Sequence, residues 1–582
     1  MKLTNEQKLA INHEGNAVVV ACPGSGKTRA IVAKLLKCVE SVQNSPRKVA
    51  CITYTNAAVH EIESRIRTYG SLGDEEYCEV ATIHSFCLNN VLRHFHWMLD
   101  DYHDGFSILP SESEEYKELA TLVCDDFDLD PFARQQFESL NRRPTGEPLC
   151  PEGIPPAAAA EFWRRLQAAG YIDFCNIVYY TFRLLADNHS LVSNLSSRFA
   201  YLLVDEFQDT SALQFEILKR VSQEHKSSFF VVGDPEQSIF RFAGAEPDLM
   251  LDFANQFSAT EFPLSGNFRS SRPIVDLAES LICRKPKMEA VGESAECEQA
   301  CQLFAAEHHF ASITDYFLPA LDKLKISAGN AAILAQNWFQ LRPLGQRLRD
   351  YGVPVVGPGA RPYKKRHLLA SLAEQVCAYV ENPLPEYVAR IERELFFLVQ
   401  AISGKANFRV FSFGGRRSVI RLLREGQRLR ERYEGAQEWL VAAGESFGKI
   451  LTADDLLPQR SIDLLSQSAH DILGDMQRND IDIANLTLDA LGMFADPARN
   501  LKLLTMHSAK GREFEAVAVI AVHDGIVPFH NNFVALTAES LAESRRLLYV
   551  AITRARRLLM LFTNQQEWRP PSRFLEEMGF YA

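Results

Sequence analysis

The sequence lacks the long apolar runs, the repeats and the excess of positive charge that mark several classes of protein. No stretch approaches the ~20 apolar residues of a membrane-spanning helix, and the opening residues Met1-Lys-Leu-Thr-Asn-Glu-Gln7 contain no apolar signal core. No repeat of ~20–50 residues is visible, which excludes a solenoid or a propeller. The formal net charge of −12 excludes a passive nucleic-acid coat with a broad basic face, although it leaves room for a local basic channel.

The cysteines do not have the regular spacing of a disulfide framework. The twelve cysteines are scattered along the chain, and several lie inside motifs, as Cys22, Cys51 and Cys87 do. With no signal peptide, this pattern favours reduced thiols, and we expect a cytoplasmic protein. The 582 residues suggest about four domains at ~150 residues each.

A phosphate-binding loop is the clearest motif. The β-branched run Val18 to Ala21 predicts a buried strand, which breaks into Pro23-Gly24-Ser25-Gly26 before a helical pattern from Arg29. Glycines let backbone N–H groups turn toward phosphate oxygens at the positive end of a helix. The segment Ala21, Cys22, Pro23, Gly24, Ser25, Gly26, Lys27 and Thr28 is therefore predicted to bind the phosphates of a nucleotide, with Lys27 on the β/γ-phosphates and Thr28 on Mg²⁺. Ala21 replaces the usual first glycine of the pattern.

A second apolar run, Phe199 to Val204, delivers two adjacent carboxylates. Asp205 can hold Mg²⁺ together with Thr28, and Glu206 can polarise the attacking water. Further strands alternate with helices along the chain. The sequence thus predicts an α/β fold with parallel sheets flanked by helices and ligands at the carboxyl ends of the strands.

Two stretches interrupt this alternation. Residues 88–195 and the stretch from Arg361 to about Arg499 are read as mainly helical insertions. The second is the most basic part of the chain, with Arg416 and Arg417 at its densest point. Such a charge run is either a solvated helix face or a contact for duplex DNA or a partner.

The ordered set of motifs resembles the superfamily 1A DNA helicases of the UvrD/Rep/PcrA family. The resemblance covers nearly the whole chain and depends on eight or more motifs in the right order. These are the Gln7 segment, Ala21–Thr28, Thr53-Tyr-Thr-Asn56, Thr82-Ile-His-Ser85, Asp205-Glu-Phe-Gln-Asp-Thr210, Val232-Gly-Asp-Pro-Glu-Gln237, Asn267-Phe-Arg-Ser270, Thr505-Met-His-Ser-Ala-Lys-Gly511 and Tyr549-Val-Ala-Ile-Thr-Arg-Ala-Arg556.

The resemblance implies two RecA-like P-loop domains, each with a mainly helical insertion. The expected domains are core 1A at 1–87 and 196–274, insertion 1B at 88–195, core 2A at 275–361 and 499–582, and insertion 2B at 362–498.

The family also implies residue roles. Gln7 would read adenine, Phe268 would stack on it, and Glu513 would contact the ribose. Gln237 would sense the γ-phosphate. Arg269, which lies next to the predicted boundary, and Arg554 would act as arginine fingers from the second core. The single-stranded DNA path would be lined by Tyr54, His84, Phe240, Phe242 and His507. The implied activity is an ATP-dependent helicase or translocase on single-stranded DNA and duplex junctions, with 3′→5′ polarity.

Some positions depart from the family pattern. Ala57 stands where Lys is usual, and Phe240 and Phe242 replace a Tyr and a Trp. These exchanges remove polar groups or stacking area near the strand, so they bear on DNA affinity and stepping more than on ATP hydrolysis. The second insertion is short and lacks a Gly-Ile-Gly type duplex-contact motif.

Two biological settings stay open. The loop and the Ile52-Thr-Tyr-Thr-Asn-Ala-Ala58 run are similar to the helicase subunit of Gabija-type anti-phage systems, which would partner an OLD-family (TOPRIM) nuclease. The other setting is DNA repair or replication. A DNA-end-sensing ATPase that regulates a nuclease is the alternative to an unwinding enzyme, and an RNA-directed helicase is a third reading.

Overall fold

The computed structural model describes residues 1–111, 113–222, 227–240, 244, 246, 248–297, 299, 301–364, 367–403, 413–479, 481–496, 498–530 and 536–581. The chain divides into two compact units. Unit 1 comprises Met1–Glu298 with Thr537–Tyr549, and unit 2 comprises Gln299–Leu536 with Val550–Ala582.

Unit 1 is built on a parallel sheet, which has six strands among the described residues, in the order β10-β1-β9-β8-β2-β3. Its strands are β1 Ala17–Ala21, β2 Lys48–Thr53, β3 Cys78–Thr82, β8 Phe199–Val204, β9 Ser228–Gly233 and β10 Thr260–Leu264. Alternate residues of β1 face opposite sides, because side chains in a strand alternate. Val19 packs with Ile31 and Leu35 of the first long helix, whereas Val18 packs with the cluster on the other face.

The helices of unit 1 cover both faces of this sheet or form the segment between β3 and β8. They are α1 Asn5–Asn12, α2 Lys27–Val42, α3 Asn56–Tyr69, α4 Ile83–Cys87, α5 Arg93–Phe95, α6 Glu114–Asp126, α7 Pro156–Ala168, α8 Phe174–Asp187, α9 His189–Arg198, α10 Ala212–Ser222, α11 Leu249–Gln256 and α12 Arg272–Leu281. Short strand pairs complete the unit: β4 Ser107–Ile108 with β7 Tyr171–Ile172, β5 Asn141–Arg142 with β6 Pro148–Leu149, and β11 Gly266–Asn267 with β12 Glu289–Ala290.

Unit 2 repeats the design with a second parallel sheet, in which the described part of the chain forms six strands in the order β13-β18-β17-β14-β16-β15. The strands are β13 Gln302–Ala306, β14 Ala331–Ala335, β15 Val355–Val356, β16 Leu501–Thr505, β17 Phe514–Val519 and β18 Ala555–Asn564. The helices are α13 His309–Ala311, α14 Leu318–Leu324, α15 Trp338–Asp350, α16 Ala370–Glu381, α17 Pro385–Ser403, α18 Phe413–Arg432, α19 Ala436–Ala453, α20 Ser461–Arg478, α21 Leu488–Gly492, α22 Ala538–Ile552 and α23 Arg573–Glu577. Most of α22 belongs to unit 1, and its last residues belong to unit 2.

The predicted fold class is confirmed: both sheets are parallel and flanked by helices. All twelve cysteines lie in the described part of the chain, and each is a free thiol. In the described residues, no helix is both long enough and apolar enough to cross a membrane.

Candidate active site and nucleic-acid interface

The phosphate loop joins β1, which lies between β10 and β9, to the first turn of α2. Gly24 has φ +69° and Gly26 has φ +81°, a left-handed backbone that glycine adopts without steric cost. A side chain would also collide at both positions. A Cβ on Gly24 would lie 2.7 Å from the Cβ of Arg269, and one on Gly26 would lie 2.8 Å from Nε2 of Gln7.

The loop has the features of an anion site. It ends at the N-terminus of a sixteen-residue helix, where unsatisfied N–H groups favour negative charge. The side-chain oxygen of Ser25 is buried and has no hydrogen-bond partner among the described residues. An orphaned polar atom of this kind fits a phosphate oxygen as its missing partner.

Lys27 carries the positive charge at the mouth of the loop. Its Nζ lies 3.1 Å from Oε2 of Glu206. Burial lowers the pKa of the Lys27 ammonium, but three nearby carboxylates raise the pKa by more, so the net shift is upward. Lys27 therefore stays protonated, and it neutralises Glu206.

The acid pair follows β8. Oδ1 of Asp205 accepts a hydrogen bond of 3.0 Å from the backbone N–H of Glu206, whose φ of +50° is left-handed. A non-glycine residue in this region carries backbone strain, which is common at functional sites. Burial, followed by the charge of Glu206, raises the pKa of Asp205 to about 7, while Lys27 lowers it. A divalent cation would relieve this penalty, so a desolvated carboxylate fits a Mg²⁺ ligand.

A chain of hydrogen bonds extends from Glu206 along the carboxyl edge of the sheet. Gln208 Nε2 donates to Glu206 Oε2 at 2.6 Å, and Gln208 Oε1 accepts from the backbone N–H of Asp234 at 2.9 Å. Asp234 Oδ2 then accepts from Gln237 Nε2 at 2.6 Å. Sequence reasoning assigned no role to Gln208 or Asp234. The signal in the sequence was that each of the two residues follows a predicted strand. The structure shows that these strands, β8 and β9, are neighbours in the sheet.

The predicted adenine residues also lie beside the loop. Gln7 Nε2 donates to the Ser25 carbonyl at 2.9 Å, and Gln7 Oε1 accepts from the Thr4 N–H at 3.1 Å. Both polar groups of this amide therefore contact the protein. The Phe268 N–H donates to the Gly24 carbonyl at 3.0 Å, and the Phe268 side chain remains 38% exposed.

Arg269 corrects one expectation. The predicted core 1A range 196–274 includes it, but the role implied by the family made it a finger from the second core; it belongs to unit 1. The physical reason is local, because the segment that contains Arg269 hydrogen-bonds to the phosphate loop and the Arg269 Cβ lies close to Gly24.

Three predicted site residues belong to unit 2. His507 begins a short turn after β16, and burial together with Lys510 lowers its pKa. Glu513 forms an ion pair of 3.8 Å with Arg556. Arg554 is only 1% exposed and donates to the carbonyls of Val550 and Arg512 and to the Thr553 hydroxyl.

Aromatic residues follow the next strands of the unit 1 sheet. Tyr54, after β2, stacks on Phe240 with ring centroids 6.0 Å apart and planes at 11°. His84, after β3, meets Phe174 edge to face at 5.5 Å. Burial lowers the pKa of His84 to about 4, so this imidazole is neutral at physiological pH. Phe242 lies outside the described residues.

Tyr54, His84 and Phe174 line a cavity of about 520 Å³. Its lining also includes Arg142 of β5, whose guanidinium lies over the Trp163 ring at 3.9 Å and over the Tyr179 ring at 4.6 Å from the centroids. Sequence reasoning missed Phe174 and Arg142 because they come from the segment between β3 and β8, which has little motif content.

Comparison with known proteins agrees with this geometry. Residues 3–258 match the UvrD/REP helicase N-terminal domain, and residues 465–566 match the UvrD-like helicase C-terminal domain.

Relatives align over nearly the full length of both chains. The Rep ATP-dependent DNA helicase of Buchnera aphidicola subsp. Baizongia pistaciae is 24% identical, over 99% of this chain and 95% of the relative. The Rep ATP-dependent DNA helicase of Escherichia coli K12 is 25% identical, over 99% and 94%. The PcrA ATP-dependent DNA helicase of Staphylococcus aureus Mu50 is 24% identical, over 99% and 86%. With its phosphate loop, acid pair and parallel sheets, the chain belongs to the UvrD-like superfamily 1A helicases and is an ATP-dependent DNA helicase.

Proposed function

We propose that this helicase moves 3′→5′ along single-stranded DNA, drives each step by ATP hydrolysis at the phosphate loop, and opens the duplex ahead of it. One observation carries the proposal. The ATP residues follow β1, β8 and β9, and the aromatic residues follow β2 and β3, all at the carboxyl edge of one parallel sheet. Nucleotide chemistry and strand contact thus share one rigid element.

We assign the nucleotide roles from the contacts around the loop. The loop N–H groups, the Ser25 hydroxyl and Lys27 would hold the phosphates, and Phe268 would stack on the base. Thr28 and Asp205 would hold Mg²⁺, which neutralises charge on the phosphates and orients them. The site therefore has a donor for each part of the nucleotide that carries charge.

Glu206 is proposed as the base. When Lys27 turns to the phosphates, Glu206 loses this ion pair but keeps its hydrogen bond from Gln208. The carboxylate then accepts a proton from the water that attacks the γ-phosphorus. Gln237 would sense the γ-phosphate. Arg269 lies beside the loop, which supports its proposed role on the transferred phosphoryl group. The finger role of Arg554 and the ribose contact of Glu513 stay predictions.

The strand path is proposed to pass Tyr54, Phe240 and the cavity beside His84, where bases stack on aromatic faces at ~1–3 kcal/mol each. A neutral His84 suits contact with a base rather than with a phosphate. Contacts of His507 and Phe242 with the strand stay predictions.

Strand displacement tests the function. Duplexes with a 3′ tail, a 5′ tail or no tail are incubated with ATP, and unwinding is expected from the 3′ tail. Glu206→Gln is the inactive control. Unwinding from 5′ tails alone, or from none of the three substrates, contradicts the proposal.

The setting in the cell stays a prediction. A role in anti-phage defence with an OLD-family nuclease predicts stable co-purification of the two proteins. A protein that purifies alone while it unwinds 3′-tailed duplexes favours repair or replication.

A further inference from the structure

Arg284 is a buried arginine in the loop after α12. Its side chain is 8% exposed, and Nη1 lies 2.7 Å from Oδ1 of Asp234, a carboxylate that is 0% exposed. A buried ion pair contributes little net stability when it is compared with apolar packing, but it holds its members in fixed positions. This pair therefore needs an explanation beyond stability.

The guanidinium contacts three separate elements. Besides Asp234 at the end of β9, Arg284 Nη2 donates to the Ala21 carbonyl at 3.3 Å, at the end of β1. Nη1 also donates to the hydroxyl of Tyr549 on α22 at 3.3 Å. Tyr549 is fully buried. One planar cation thus joins the entry to the phosphate loop, the turn after β9 and helix α22.

Asp234 is the branch point of the polar chain described above. Its second carboxylate oxygen accepts from Gln237, and its backbone N–H donates to Gln208, which holds Glu206. A rotation of the Asp234 carboxylate would move both the sensor amide and the support of the base. Arg284 fixes this carboxylate from the opposite side.

Helix α22 has a second link to the same turn. Arg546 Nε lies 3.4 Å from Oε2 of Glu236, the residue before Gln237. Thus Tyr549 and Arg546, one helical turn apart on α22, both lead to the segment 234–237. Along the chain, α22 continues to Ile552, and Arg554 follows two residues later.

We propose that Arg284 is a positioning residue that orients Gln237 and Glu206 through Asp234 and couples this network to helix α22. The inference builds on the proposed sensor role of Gln237. Its described hydrogen bonds go to protein groups, namely Asp234, Tyr549 and the Ala21 carbonyl. It acts on the rate of hydrolysis rather than on nucleotide binding.

The first experiment separates rate from binding. Arg284→Met is expected to lower kcat of the DNA-stimulated ATPase by ~10- to 100-fold while KM for ATP changes by less than ~3-fold, since small displacements of catalytic groups have effects of this size. Arg284→Lys keeps the charge and is expected to regain part of kcat. The matched control is Arg361→Met, because Arg361 forms a similar ion pair with buried Glu374 in unit 2. It is expected to lower Tm without changing kcat.

A double-mutant cycle tests the route. In a Gln237→Ala background, Arg284→Lys is expected to lower kcat by a smaller factor than it does alone, because one of the two groups that Arg284 orients is already gone. Fully additive losses overturn the inference, as does wild-type kcat in a folded Arg284→Met protein, or a loss confined to KM.

Failure of the two proposals can be told apart. Unchanged kcat in Gln237→Ala contradicts the sensor role itself. An impaired Gln237→Ala with a normal Arg284→Met contradicts only the present inference. If both Arg284 variants fail to fold, Tyr549→Phe, which removes one hydroxyl, is expected to lower kcat by roughly 3- to 10-fold, the effect of losing one ordinary hydrogen bond. An unchanged kcat then overturns the coupling to α22.

Discussion

Each unit has a parallel strand followed by a loop with two glycines, and the two loops differ in what surrounds them. In unit 1 the loop after β1 leads into α2 with Lys27 and Thr28 at its first turn. It contains the buried Ser25 hydroxyl, which has no partner in the part of the chain that the structure describes. In unit 2 the segment 357–359 follows β15 and packs onto its own fold. A Cβ on Gly359 would overlap the backbone carbonyl oxygen of Arg342 in α15.

The difference shows that a parallel sheet and a glycine loop are not sufficient for a nucleotide site. The unit 1 loop keeps N–H groups and a cation available at a helix N-terminus. In the unit 2 loop, Gly359 serves the close approach of two backbone segments. This comparison can be tested with variants that change the chemistry of the unit 1 loop or the packing of the unit 2 loop.

The largest expected effect is on hydrolysis at the unit 1 loop. Lys27→Ala and Glu206→Gln are each expected to lower the ATPase rate by ~10²–10⁴-fold, because the first removes the phosphate cation and the second the base. Glu206→Gln should retain ATP binding, measured with a fluorescent ATP analogue. Lys37→Ala, on the exposed face of the same helix, is the control and should hydrolyse ATP normally. Normal ATP turnover in Lys27→Ala or in Glu206→Gln would contradict the assigned roles.

The next largest effect is expected from replacing one glycine of each loop with alanine. Gly24→Ala should abolish nucleotide binding and also lower Tm, because its φ would be strained and its methyl group would meet Arg269 and Asn267 at the loop mouth. Gly359→Ala should lower stability by ~1–3 kcal/mol through a strained φ and a steric overlap, but the folded protein should bind ATP with unchanged affinity. Thermal melts and ATP titrations of both variants check this. Loss of ATP affinity in Gly359→Ala would erase the distinction between the loops.

The sequence could predict features that are formed by residues close together in the chain, but not those that depend on tertiary contacts. The phosphate loop and the Asp205–Glu206 pair were predictable because each is a contiguous strand-then-polar pattern, and the parallel alternation predicted that such strand ends meet. The cluster Gln208, Asp234 and Arg284 was not predictable. Its members come together only because β8 and β9 are neighbours in the sheet and because an arginine from the loop after α12 pairs with Asp234. Sequence periodicity contains neither fact.

The aromatic residues show the same limit. Tyr54 and His84 stand in motifs, so they were singled out, yet nothing in the sequence pairs them with Phe174 or with the Arg142 hairpin across the cavity. Arg269 lay inside the predicted core 1A range but was described as a finger from the second core, because its contact with the phosphate loop is a tertiary one that the sequence does not show.

A smaller effect is expected on DNA binding. Tyr54→Ala should weaken binding of short single-stranded DNA by ~1–3 kcal/mol, the range for loss of one stacking platform, while basal ATPase without DNA stays within about twofold of wild type. Fluorescence anisotropy with a labelled oligonucleotide measures this. Tyr69→Ala, at the exposed end of α3, is the control and should bind like wild type. Equal binding by both variants removes Tyr54 from the strand path.

The smallest effect concerns pH at the same wall of the cavity. Burial lowers the pKa of folded His84 to about 4, below the ordinary value of about 6.5 in the unfolded chain. Protons therefore bind the unfolded state more readily, so stability is full above pH 6.5 and declines as the pH falls from there toward 4. His84→Gln should lose less Tm than wild type between pH 7 and pH 5, whereas His60→Gln on the exposed face of α3 should follow wild type. Identical Tm profiles for His84→Gln and wild type would mean that the imidazole is hydrated, and a hydrated wall would bind a base less tightly than the dry aromatic wall that the strand path requires.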